Sequence, residues 1–396
     1  MKRFLKTVTT AIIKLRFALF FILFPIIKKN RIFFISMNGN SYGCNPRAIT
    51  ESLLEKFANK EIVIYWAFKK GFTPKNLDKR IKVVTLFSFR YFRAIVTSKV
   101  IINNQRFRVG RDFLKRKKQI YIQTWHGTAL KKIEKDAENA LSLGYKLNAP
   151  KDSNSWDLAL SGSKYHTETL KNSFWYTGEI RETGMPRNDI FFNSEKVNSI
   201  RNSFYDKYKI PENENIVLFA PTFRNNAENN FFDLDVKELL NNIKIKFGGE
   251  WSFFIKLHPN LLNKVKAESV IISQGCRITD VTSYPDMQEI LAITSVLITD
   301  YSSSIFDFML TKRPCFLYIP DYQQYERGTY FNVEELPFPF SKDNERLNYN
   351  ISTFNEEKLL SDIETFENNT LSSVEKGNAS EQIAEYIISC CAKKRK

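Results

Sequence analysis

The chain has 396 residues, enough for about two domains, and its 43% apolar content with 34 phenylalanines supplies a core that excludes an intrinsically disordered protein. A mean hydropathy of −0.33 excludes a polytopic membrane protein, because several spans of about 20 apolar residues would lift the average above zero. Lys plus Arg number 59 against 43 Asp plus Glu, and the resulting +16 asks for an anionic partner: nucleic acid, anionic lipid headgroups or a phosphorylated substrate.

Residues 1–30 open with Lys2, Arg3 and Lys6, continue through Lys14 and Arg16, and reach an apolar run from Phe17 to Ile27 that ends at Lys28, Lys29 and Arg31. Such a run rises only about 16 Å as helix, short of a hydrocarbon core of roughly 30 Å. Basic residues follow it in place of a small-x-small cleavage site. The expectation is an amphipathic helix lying on an anionic membrane surface. The alternative is a helix packed on the first domain.

From residue 31 the texture is one of short apolar runs: Ile32 to Met37, Ile62 to Phe68, Ile81 to Phe87, Val100 to Asn103, Ile120 to Trp125 and Leu158 to Ser161. After a polar stretch around Asn193 to Glu214 the runs resume with Ile216 to Ala220, Trp251 to Leu257, Ser295 to Thr299 and Pro314 to Ile319. Helix-length segments between continuous apolar runs predict βα units and a parallel sheet covered on both faces. The organisation expected is therefore α/β, with one Rossmann-like domain over residues 31–195 and a second over 196–396. In open sheets of this kind ligands bind at the carboxyl ends of the strands.

Three histidines can be weighed one by one. His126 lies in Thr124-Trp-His-Gly-Thr128, at a strand exit and before a glycine. That position suits a general base with a pKa near 6.5, or a satisfied structural histidine. His258, in Lys256-Leu-His-Pro-Asn260, shares a strand side with Lys256 and reads as a phosphate contact. His166 reads as the start of a helix on the first domain.

Val296-Leu-Ile-Thr-Asp-Tyr-Ser-Ser-Ser304 ends a strand on Asp300 and places serines at a helix start, where backbone N–H groups favour an anion. Arg224 in Ala220-Pro-Thr-Phe-Arg224 and Arg327 in Tyr325-Glu-Arg-Gly-Thr-Tyr330 add guanidinium groups at other strand exits. The five cysteines are odd in number, scattered and without a CxxC pair, so neither a disulfide framework nor a zinc site is expected. The sequence has no GxGxxG, GxxxxGK[ST] or HExxH.

Taken in order, TWHGT-x-LKK with Asp136 downstream, GMPRND (Gly184 to Asp189), APTFR, KLHPN, ITDYSSSIFDF and ERGTYF resemble the CDP-glycerol glycerophosphotransferase family of teichoic acid synthesis. Ser41-Tyr-Gly-Cys-Asn-Pro-Arg-Ala-Ile49 is similar to that family's early Asn-Pro-Lys/Arg-Ala-Ile stretch. The resemblance implies a glycosyltransferase B-type fold, with two Rossmann-like domains facing a cleft. It also implies transfer of glycerol phosphate from CDP-glycerol to a hydroxyl of a lipid-linked saccharide or polyol-phosphate chain, with release of CMP, at the cytoplasmic face of the membrane. By motif, His126 would deprotonate the acceptor, with His258 the second histidine of the catalytic set. Lys256, His258, Ser302, Ser303 and Arg327 would hold the donor pyrophosphate, and Arg224 and Asp300 would lie near the donor. Arg187 is structural or acceptor-side.

This sequence departs from the family pattern at Ala129, Ile133-Glu134 and Asn332. It is short for a long-chain polymerase of the family, so a primase or a capsule-polymer transferase is an equal expectation. CDP-ribitol is an alternative donor, and an ordinary sugar-nucleotide transferase is the alternative reaction. A nucleic-acid-binding protein is disfavoured, because the aromatic residues fall in apolar runs and not among basic ones. No cofactor or metal is called for.

Overall fold

A computed structural model describes the chain except for residues 1, 73, 75, 76, 108–112, 223–231, 259–270, 273, 274, 323–327 and 393–396. The chain divides into two compact units. Unit 1 contains Met1–His126, Ile133–Asp189 and Ser373–Lys396; unit 2 contains Gly127–Lys132 and Ile190–Ser372.

Unit 1 is built on a seven-stranded parallel sheet: β1 (Lys28–Ile35), β2 (Val63–Phe68), β3 (Ile81–Thr85), β4 (Ser98–Asn103), β5 (Ile120–Gln123), β6 (Leu158–Ser161) and β7 (Glu179–Glu182). Their order is β3-β2-β1-β4-β5-β6-β7, all neighbours parallel. The apolar runs are continuous because both faces are covered. Phe33, Ile35, Ile101 and Tyr121 enter one core with α3 (Phe89–Thr97), and Ile32, Phe34, Ile102 and Ile122 enter the other with α2 (Cys44–Lys56). This alternation is the period-2 signature of a strand buried on both sides.

The N-terminal helix α1 (Lys2–Leu23) covers part of the first face. Ile13, Phe17 and Phe20 are buried there, with Phe17 edge-on to Phe92 at 5.2 Å and to Phe113 at 5.9 Å. Arg116 binds its end, donating to the carbonyls of Phe21 and Pro25 at 2.6 Å and of Phe24 at 2.8 Å. The helix has a second apolar face: Ile12, Leu15, Leu19, Ile22 and Leu23 are exposed, as is Ile26 just beyond it. Among the described residues, no helix is long and apolar enough to cross a membrane.

Unit 2 holds β8 (Glu214–Ala220), β9 (Glu250–Ile255), β10 (Ile278–Asp280), β11 (Val296–Thr299), β12 (Cys315–Tyr318) and β13 (Phe340–Ser341). They form a parallel sheet in the order β10-β9-β8-β11-β12-β13. One face packs Val217, Phe219, Phe253, Ile298 and Phe316 against Leu239 and Ile243 of α7 (Val236–Phe247). Both sheets therefore follow the doubly wound 3-2-1-4-5-6 order, with switch points between β1 and β4 and between β8 and β11.

The structural division departs from the expected one at the C-terminus. The last helix, α12 (Ala379–Ala392), returns to unit 1, where Ile383, Ala384, Ile387 and Cys390 complete the core over α2 and β1. An apolar helix face goes to the sheet face that lacks cover, whatever its distance along the chain.

Candidate active site

In unit 1 the chain leaves β5 through Thr124, Trp125 and His126. Trp125 has φ of 48° and the following Gly127 has φ of 147°, so the turn uses backbone that side chains other than glycine's rarely adopt. The His126 Nδ1 lies 2.7 Å from the carbonyl oxygen of Asn104, the residue that follows β4. A carbonyl only accepts, so Nδ1 donates and Nε2 carries the free lone pair. Burial pushes the His126 pKa down to about 4 and the charge of Arg187 lowers it further, against the Asn104 hydrogen bond that raises it. The ring is neutral at physiological pH, with its basic nitrogen opposite the one that is held. A free Nε2 lone pair lets the ring accept a proton, while burial makes it a weaker base than the ordinary imidazole with a pKa near 6.5 that its sequence position suggested.

The motifs around His126 converge. Asn45, wholly buried at the start of α2, donates from Nδ2 to the carbonyls of Thr124 and Trp125, both at 3.1 Å. Its Oδ1 accepts the Arg187 backbone N–H at 3.0 Å. The Arg187 Nη1 donates to the His126 carbonyl. His166 starts α5 (Lys164–Ser173) as the sequence suggested, and burial pushes its pKa down to about 3, with the charge of Arg187 lowering it further.

The rest of GMPRND fastens the returning C-terminal segment. Glu375 accepts from the Met185 N–H and the Asn188 side chain, each at 3.0 Å. Asp189 accepts from the N–H groups of Ala379 and Ser380, at 3.0 and 2.7 Å, where α12 begins.

In unit 2 the predicted donor residues gather at strand exits. Asp300, wholly buried after β11, accepts the Thr222 N–H at 2.9 Å and the Thr222 hydroxyl at 3.0 Å. It thus pins the loop leaving β8 across the switch point. The Ser302 hydroxyl lies 2.8 Å from that of Ser304 and accepts the Ser304 N–H at 3.3 Å. Ser303 opens the six-residue helix α9 (Ser304–Met309) without a side-chain capping bond, and it is half-buried.

Lys256 and His258 follow β9. The Lys256 ammonium donates to the carbonyls of Tyr284 at 2.7 Å and Val281 at 3.2 Å, so it braces the turn after β10. Burial pushes its pKa down to about 8, opposed by Asp286 and Asp280. His258 faces outward, and its pKa is lowered by partial burial and then by the charge of Lys131. Arg224 and Arg327 lie outside the described residues.

Gly127–Lys132, the segment after His126, belongs to unit 2. There Lys131 pairs antiparallel with Thr329, the Lys132 N–H donates to the Gly328 carbonyl at 2.8 Å, and the Tyr330 N–H donates to the Leu130 carbonyl at 2.8 Å. The second half of TWHGT-x-LKK is thereby joined to the second half of ERGTYF. Among the described residues, no group of three His, Cys, Asp or Glu is placed to hold a metal ion.

Sequence reasoning missed Asn104, Thr222 and Lys131. Asn104 could have been noticed as a polar residue directly after an apolar strand. The other two lay inside quoted motifs but received no role.

The chain is similar to known proteins in sequence and in fold. The family model for CDP-Glycerol:Poly(glycerophosphate) glycerophosphotransferase matches residues 15–389. A teichoic acid poly(glycerol phosphate) polymerase of Bacillus subtilis is 31% identical over 81% of this chain, which spans only 43% of that relative's length. A teichoic acid glycerol-phosphate transferase of Staphylococcus aureus is 30% identical over 81% of this chain and 82% of its own. The solved structure of the wall teichoic acid polymerase TagF, in a variant soaked with CDPG, superposes with a TM-score of 0.79 at 26% identity and covers 98% of both chains. With the family model spanning both units and the relatives agreeing, this chain belongs to the CDP-glycerol:poly(glycerophosphate) glycerophosphotransferase family.

Proposed function

We propose that this protein transfers glycerol phosphate from CDP-glycerol to a hydroxyl of a polyol-phosphate chain or lipid-linked saccharide, releasing CMP, in the synthesis of teichoic acid or a related surface polymer. The observation that carries the reading is His126: neutral, held at Nδ1 and basic at Nε2, in a chain matched by the family model over 15–389. The acceptor hydroxyl gives its proton to His126 Nε2 as its oxygen attacks the glycerol-bearing phosphorus. The pyrophosphate bond breaks and its electron pair leaves with CMP. Phosphoryl transfer needs in-line positioning and cationic or N–H groups against the phosphates more than covalent chemistry. His258, Lys131, Ser302 and Ser303 supply such groups in unit 2, and Arg224 and Arg327 fall to the same role by motif.

We further propose peripheral attachment to an anionic membrane surface, at its cytoplasmic face. The support is the unpartnered face of α1, with Leu15 at 70% and Ile22 at 76% exposure, together with Lys28, Lys29 and the basic loop from Lys115 to Lys118 whose Arg116 binds the helix end. Apolar side chains beside lysines fit an anionic headgroup layer.

The test is nucleotide release by purified protein with membrane lipid extract as acceptor source. CMP from CDP-glycerol, cut about 100-fold or more by His126→Ala with donor binding nearly unchanged, is the expected result. CMP from CDP-ribitol alone would reassign the polyol. A nucleoside diphosphate from a sugar nucleotide would overturn the reaction.

A further inference from the structure

Three motifs meet at the turn that carries His126, and two of them have no place in the reaction itself. Thr124, Trp125 and His126 present three successive carbonyls, and each receives a side-chain donor from a distant part of the chain. Asn45 serves the first two at 3.1 Å each, and the Arg187 guanidinium serves the third. The two donors are themselves linked, because the Asn45 Oδ1 accepts the Arg187 N–H at 3.0 Å. Gln123 closes the turn from within, accepting the Trp125 N–H at 3.0 Å.

Such a clamp has a physical purpose. Trp125 sits at φ 48°, a conformation that a bulky residue holds only when its surroundings over-determine it. Released, the turn would relax and carry the His126 ring with it, since the hydrogen bond to Asn104 holds Nδ1 and not the backbone behind the ring. A shift of about 1 Å in a base is enough to slow a reaction by about 100-fold.

We propose that Asn45 and Arg187 are positioning residues that hold the Thr124–His126 backbone so that Nε2 of His126 is aimed at the acceptor hydroxyl. Arg187 acts a second time through its charge, which disfavours the imidazolium and keeps the base unprotonated. The proposal rests on His126 being the base of the reaction proposed above, and the experiment separates the two.

The experiment is a double-mutant cycle on CMP release, with Asn45→Ser and Arg187→Lys each made alone and in the His126→Ala background. In otherwise intact protein, each change should lower kcat by about 10-fold to 100-fold, with donor KM altered less than about twofold. In the His126→Ala background neither should lower kcat further, because a residue acting through His126 has nothing left to position. Losses that add in that background, or an unchanged kcat, would overturn the assignment.

A second readout does not use activity. With three histidines in the chain, nitrogen-15-histidine NMR of Arg187→Met should show the His126 titration moving to higher pH. An unmoved titration would remove the electrostatic half of the proposal. If Asn45→Ser fails to fold, Arg187→Lys carries the cycle alone. Wild-type protein that releases no CMP would refute the reaction; wild-type activity with additive losses would refute only the positioning.

Discussion

At the scale of single residues, two histidines are kept neutral by burial, and this has a pH consequence. His126 and His166 have folded-state pKa values pushed down to about 4 and about 3, below the ordinary 6.5. The unfolded chain therefore takes up protons first on acidification. Their contribution to stability is intact above about pH 7 and is lost as pH falls through 6.5 towards 4. His166→Leu should flatten the loss of urea midpoint between about pH 7.5 and pH 5. A slope equal to the wild type's would show that His166 is not the group responsible. By the same shift, the acid limb of kcat/KM should lie well below pH 6.5. The strand-exit position of His126 was legible from the apolar run before it and the glycine after it. The proximity of His166 to it was not, because forty residues separate them and only the fold places both near Arg187.

At the scale of elements, α1 has two faces that make opposite predictions. Phe17 is fully buried, so Phe17→Ala should cost about 3–5 kcal/mol and lower the melting temperature. Leu19→Glu with Ile22→Glu alters only the exposed face and should leave melting unchanged while abolishing sedimentation with anionic vesicles. Retained vesicle binding would remove the membrane proposal. The buried face also means that deleting the whole helix cannot leave the core intact, as an anchor with no packing would allow. Strand legibility followed burial. The central strands of both sheets were readable as apolar runs. Of the edge strands, β3 was readable within Ile81 to Phe87, but β7, β10 and β13 were missed, because Glu-Ile-Arg-Glu, Ile-Thr-Asp and Phe-Ser carry no continuous apolar signal.

At the scale of the whole molecule, the chain is not two consecutive domains. Residues 373–396 close unit 1, through α12 in the core and through Glu375 and the Asp189 bonds at the GMPRND turn. A chain ending at Ser372 uncovers the face of Ile32, Ile49 and Leu53 that α12 protects. At about 1.5–3 kcal/mol for each lost isoleucine contact surface, its melting temperature should fall by about 10 °C or its transition should lose cooperativity. Thermal melting of the truncated protein checks this, and an unaltered transition would show that unit 1 folds without α12.

The sequence by itself determined the α/β class, the family and the strand-exit positions of the motifs, because apolar runs, turn residues and ordered motifs are local properties of the chain. Only the tertiary structure decided which partners the described motif residues meet. It turned Lys256 towards the carbonyls after β10, set Asp300 against Thr222, and brought Asn45 and Arg187 to the backbone of His126. The reason is physical: a buried polar group must find its hydrogen-bond partner wherever packing puts one, and that partner has no fixed distance along the sequence.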